Sequence, residues 1–103
     1  MIQIFSQENI LPNDICEVSE LLLSFTNFGQ FYKCNILQLA KALVCKFCRY
    51  SPVTQIAGIS YWYFKVLMKQ KRSLKSICEF LLISQNSVHL YLNHSCVDNW
   101  KSK

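Results

Sequence analysis

Glycine and proline are scarce in this chain, two of each among 103 residues, and a β protein built on tight turns needs many more of both. Acidic residues are missing altogether between Lys33 and Lys75. The basic stretch holds no carboxylate pair, no glycine-rich phosphate loop and no nucleophile beside a base, so no catalytic residue and no cofactor is expected, and an enzyme ranks last. Charged residues make up only 17% against 51% apolar ones, which excludes a disordered, self-repelling tail. Long apolar runs are absent too. The stretch Ile56–Phe64 ends at Lys65, well short of the roughly twenty residues a membrane span requires, so no membrane partner is expected.

What remains is a mostly helical chain, long enough for one core and one domain. Its charge is polarised. Glu8, Asp14, Glu17 and Glu20 give the first thirty residues four acids and no base, whereas nine bases follow before Glu79: Lys33, Lys41, Lys46, Arg49, Lys65, Lys69, Lys71, Arg72 and Lys75. A molecule charged in this way offers one end to a polyanion such as a phosphate backbone. Scattered over several helices, the same bases also fit ordinary solvated tips.

Six cysteines, Cys16, Cys34, Cys45, Cys48, Cys78 and Cys96, raise disulfide and zinc readings. The first residues show no basic-then-apolar segment, so thiols are expected to stay reduced. Cys45 and Cys48 form the only CxxC, and a zinc ribbon needs a second pair or added histidines. At i, i+3 in an apolar helical pattern, the two read more simply as small core residues, and no metal is expected. A redox CxxC would need a strand before its helix, and none is visible.

In chain order, residues 1–10 read as an N-terminal arm, 11–94 as the domain and 95–103, with Trp100, as a tail. Asp14 with Glu17 resembles a capping box, and Ile15, Val18, Leu22 and Phe25 recur at helical spacing. This first helix is expected to reach about Asn27 and to end at Phe28-Gly29, since glycine tolerates the left-handed conformation. A second helix, from Phe31 or Cys34 to Cys48, carries the stripe Ile36, Leu37, Ala40, Leu43, Val44 and Phe47. Ser51-Pro52 is an N-cap followed by proline at the first helical position. The third helix, to about Met68, is apolar nearly all round, which predicts a position surrounded by the others. Ala57, Gly58 and Ser60 would let neighbouring backbones come close.

Lys71–Asn93 reads as two short helices joined by a tight turn. Ser73 caps one that runs to about Phe80, Ser84 caps the next, and the residues between, Leu81–Ser84, are few enough for a helix-turn-helix. At 100° per residue, Gln85, Asn86, His89 and Asn93 share one stripe of the last helix, opposite Ser87, Val88, Tyr91 and Leu92. Uncharged donors and acceptors suit base edges in a major groove. Any solvated helix shows a similar stripe, so the residues alone leave both readings open. Lys69–Arg72 is a basic connection that a phosphate backbone could meet or that water could solvate.

Five helices with a buried third and a helix-turn-helix made from the last two resemble the cyclin-like repeat. Ser51–Tyr61, SPVTQIAGISY, resembles the serine-proline helix start, small-residue run and tyrosine of transcription initiation factor IIB. Lys71-Arg72-Ser73, Lys75 and Ile77 are similar to the basic, hydroxyl, basic and apolar positions that open that family's fourth helix, and Ser87-Val88 resembles a threonine-isoleucine pair in its fifth. Residues 1–50 match in helical pattern only. The resemblance implies an all-α, compact five-helix cyclin-like fold and a general transcription initiation module. It implies double-stranded promoter DNA and the TATA-binding protein as partners, with RNA polymerase or a second cyclin-like subunit beside them. It also implies a nuclear location, or the cytoplasm for an archaeal or viral relative. Gln85, Asn86, His89 and Asn93 would then face bases, and Lys69, Lys71, Arg72, Ser73 and Lys75 would approach phosphates.

Departures qualify that expectation. His89 stands where the family commonly has arginine, so a bidentate guanine contact is lost. Leu82 occupies a turn position where glycine is usual. The chain carries one repeat where the family has two, and no zinc ribbon, so polymerase recruitment in the family's manner is not expected. The alternative is a protein-interaction module that binds a regulatory partner without DNA through Tyr61, Trp62 and Leu90.

Overall fold

Helix α3, Pro52–Trp62, has no solvent side to speak of: Ile56, Ala57, Ile59 and Ser60 are all fully buried, and the helix touches every other one in the fold. Its start is built as the Ser51-Pro52 pair requires. The Ser51 hydroxyl accepts the Thr54 amide at 3.3 Å and Pro52 opens the first turn, filling one of the orphan donors of a helix N-terminus. The computed structural model describes residues 14–44 and 49–94. Around α3 lie α1 (Asp14–Ser24), α2 (Gln30–Leu43), α4 (Leu74–Leu81) and α5 (Gln85–His94). The described residues contain no strand, and the class is all-α. Helix α2 ends at Leu43, short of the expected Cys48, because Val44 is extended at φ −68°, ψ 130°; the expected arm 1–10, the tail 95–103 and the Cys45–Cys48 pair lie outside the described residues.

The first helix stops sooner than its apolar spacing suggests. Its last carbonyls are taken by hydroxyls: Ser24 Oγ donates to Leu21 O, and Thr26 Oγ1 donates to Leu23 O at 2.6 Å. The amides of Phe25 and Thr26 reach back three residues to Leu22 and Leu23, tightening the final turn. Phe25 therefore leaves the stripe and is exposed, while Leu22, Leu23 and Phe28 fill the core. Gly29 differs from expectation as well. At φ −63°, ψ 156° it is extended and serves as the N-cap of α2, so nothing at this turn requires the left-handed region.

The far end of α3 is wound more widely. Tyr63–Leu67 forms a π-helical turn, in which the Met68 amide donates to Tyr63 O at 3.0 Å and the Gln70 amide to Phe64 O at 2.8 Å. Lys69 then reverses the chain at φ 53°. Tyr63 and Phe64 stay in the core, and Tyr63 accepts a hydrogen bond from Asn35 of α2 at 2.9 Å. Phe28, Tyr32 and Phe64 meet edge to face, at 4.9 Å for Phe28–Phe64 and 5.2 Å for Tyr32–Phe64, the arrangement aromatic quadrupoles favour.

Helices α4 and α5 complete the fold. Ser73 Oγ accepts the Ser76 amide at 3.2 Å, and Leu74, Ile77, Cys78 and Leu81 face inward. Burial of Cys78 raises its thiol pKa above the ordinary value by desolvation. After Leu81 the chain turns at Leu82, φ 57° and ψ 43°. The amides of Leu82 and Ile83 both return to Cys78 O, the second at 3.2 Å: the first is the 5→1 bond of the left-handed closure and the second the 6→1 bond found in Schellman turns. Among the described residues no helix is long and apolar enough to cross a membrane.

Candidate nucleic-acid interface

Ser84 sets the start of α5. Its hydroxyl accepts the Ser87 amide at 3.1 Å and pairs with the Ser87 hydroxyl at 2.9 Å. One side of the helix is then held against α3 by Val88 and Tyr91, both buried. The contact is close because Gly58 has no side chain: a Cβ there would lie 2.5 Å from Tyr91 Cδ2 and 2.7 Å from Tyr91 Cε2. Tyr91 is also backed by Tyr50, with ring centroids 5.6 Å apart.

With that face fixed, the opposite one is determined by helical geometry. Gln85, Asn86, His89 and Asn93 are all exposed, on the side away from α3, and Leu90 beside them is 42% exposed. The four expected base-facing residues are thus together on one outer surface. It is a neutral stripe of amides and an imidazole, able to donate and accept.

The expected phosphate-contacting residues divide into two groups. Lys69, Lys71, Ser73 and Lys75 are exposed. Arg72 is half-buried and turned inward: its guanidinium carbon lies 4.2 Å from the Phe64 ring centre, 5.4 Å from Phe28 and 5.8 Å from Tyr32. Its Nε donates a long hydrogen bond, 3.4 Å, to Gln70 Oε1, and Gln70 Nε2 donates to the Tyr32 hydroxyl at 2.9 Å. A cation over several ring faces in a partly desolvated place gains about 2 kcal/mol, more than it would at a wet surface. The arginine is thereby spent on fixing the connection between α3 and α4.

Lys65, Lys69, Lys71, Arg72 and Ser73, together with Tyr61 and Gln70, line an open concavity of about 480 Å³ at the end of α3. Lys65 had no part in the sequence reading of the site. The signal for it was the i, i+4 spacing to Tyr61, and its ammonium does lie 5.5 Å from the Tyr61 ring centre. Trp62, expected on an interaction surface with Tyr61 and Leu90, is 7% exposed and belongs to the core. It takes part in closing α3 against its neighbours, because a helix buried nearly all round leaves few outward positions. Among the described residues no three of His, Cys, Asp or Glu come together as metal ligands would.

Comparison with known proteins adds no assignment: no family model matches the chain, and no curated protein and no solved structure matches it significantly.

Proposed function

We propose that this protein is a DNA-binding module of the transcription initiation factor IIB type. In this reading α1–α5 form a cyclin-like repeat, and α4 with α5 is a helix-turn-helix whose second member enters the major groove of promoter DNA beside the TATA-binding protein. The observation that carries the proposal is the outer face of α5. Gln85, Asn86, His89 and Asn93 are exposed together on a helix whose other face is locked to α3, and the end of α3 with the connection to α4 carries a concavity lined by lysines. Amide side chains pair with adenine edges and an imidazole with single acceptors or donors, so the stripe reads bases without needing charge. Lys69, Lys71, Ser73 and Lys75 supply backbone contacts that set register, and Arg72 holds their connection in place. No catalytic step and no cofactor enters this function.

The test is duplex binding over a range of salt. His89→Ala is expected to weaken sequence preference, whereas Lys71→Ala weakens all duplexes alike and reduces the salt slope by about 1. Passage of the protein through both heparin and DNA columns at low salt refutes the proposal. Recovery of the TATA-binding protein or of a second cyclin-like subunit on co-purification supports the wider assembly.

A second reading, a partner-binding module without DNA, draws on Leu82 and Leu90, which are 73% and 42% exposed on and after the turn between α4 and α5. Large apolar side chains in the open mark protein contacts more often than nucleic-acid ones. Stoichiometric recovery of a protein partner after nuclease treatment would favour it.

A further inference from the structure

The concavity at the end of α3 concentrates charge that a base-reading α5 does not use. Lys65 enters it from the widened last turn of α3, and Lys69 and Lys71 from the connection to α4; no carboxylate lines it. Like charges gathered without a counter-charge repel one another unless water or a bound anion separates them. Here they are also restrained from dispersing. Along the connection, exposed and half-buried residues alternate: Lys69, Lys71 and Ser73 are exposed, while Gln70 and Arg72, which line the same concavity, are half-buried. Gln70 is tied to the Tyr32 hydroxyl and Arg72 lies on Phe64. With every second side chain anchored in its wall, the backbone that carries the lysines around the concavity is held in place. Lys65 is steadied from the other wall by the Tyr61 ring.

We propose that this concavity is a phosphate cradle. Lys65, Lys69 and Lys71 hold neighbouring phosphodiester groups of a DNA strand that runs past the end of α3, one ammonium to each, so the backbone contact extends beyond α4 and α5. Lysine ammonium groups bind such a group as point charges, without the paired geometry arginine imposes. Arg72 is a positioning residue for the cradle. The inference rests on the proposed function for the identity of the polymer, though not for the anion chemistry.

The experiment measures binding of a random-sequence duplex by fluorescence anisotropy as a function of salt, for the wild type and for the triple variant K65Q/K69Q/K71Q. Each phosphate contact contributes about 0.9 to the slope of log affinity against log salt, so the triple variant is expected to flatten that slope by about 2.7. The control K33Q/K41Q, which alters α2 bases outside the concavity, is expected to leave it unchanged. Equal flattening by both variants, or no flattening by the triple one, overturns the cradle. Should the triple variant lose helical circular dichroism, K65Q alone is used, with an expected change of about 0.9 and refutation by none. Failure of Asn86→Ala and His89→Ala to alter sequence preference removes the base-reading role of α5 and leaves the cradle standing. Normal preference with an unaltered slope removes the cradle alone.

Discussion

Gly58→Ala pits two effects of opposite sign against each other, and the structure decides between them. In an exposed helix the substitution stabilises by about 1 kcal/mol, because alanine loses less backbone entropy on folding. At position 58 the new Cβ would meet the Tyr91 ring at 2.5 and 2.7 Å and Leu92 Cδ2 at 3.4 Å, whereas ordinary contact begins at 3.4 Å. The ring cannot swing aside, since Tyr91 is 2% exposed and is backed by Tyr50. Helix α5 must therefore move off α3, and overpacking of this kind costs about 1–3 kcal/mol. The net expectation is a loss of about 1 kcal/mol, which lowers the thermal midpoint of a domain this size by about 4–8 °C. Thermal unfolding followed by circular dichroism measures it. The double variant Gly58→Ala/Tyr91→Leu completes a cycle in which the alanine, freed of the clash, is expected to become neutral or stabilising. A raised midpoint for Gly58→Ala alone would refute the close approach of α3 and α5 and with it the fixed orientation of the outer stripe.

Leu82→Gly is expected to stabilise by about 0.5–1 kcal/mol, read by chemical denaturation: relief of the left-handed backbone outweighs the added freedom of the unfolded chain, and an exposed leucine forfeits little packing. Ser60→Ala should stabilise by about 1 kcal/mol on the same assay, because its buried hydroxyl has no hydrogen-bond partner among the described residues. Thiol titration with a disulfide reagent at neutral pH should modify exposed Cys34 quickly and buried Cys78 only on unfolding. Because burial raises the folded-state pKa of Cys78, the unfolded chain loses that proton first. Stability is therefore expected to be fully present below the free-thiol value of about 8.5 and to fall as pH rises through and beyond it, a fall that Cys78→Ala should remove from the pH profile. Ser73→Ala should cost about 1 kcal/mol, visible as a lowered unfolding midpoint, since the Ser76 amide loses its cap.

What could be read in advance was what local spacing decides. Ser51, Ser73 and Ser84 cap helices because a hydroxyl reaches an amide three residues on, whatever the rest of the chain does. The division of α5 into a buried Val88–Tyr91 side and an exposed Gln85–Asn93 side follows from helical period alone. Features that depend on distant partners were not legible. Phe25 had the right spacing for α1, but Ser24 and Thr26 hydroxyls ended the helix before it. Arg72 looked like one more base in a basic run, and only the meeting of Phe28, Tyr32 and Phe64 from three parts of the chain draws it inward. Trp62 could not be placed without knowing how completely its neighbours enclose α3.

The widened turn at Tyr63–Leu67 bears on how this chain tolerates changes of length. A π turn holds one residue more than an α turn, so deletion of a residue there would be absorbed as ordinary helix without breaking α3. The shortened turn closes over the same single turn of helix, so the chain would leave α3 on nearly the same bearing. Arg72 would keep its place on the rings and the lysines their register with α5. The bulge thus acts as a length buffer, at which a single codon can be lost without re-aiming the C-terminal third of the molecule.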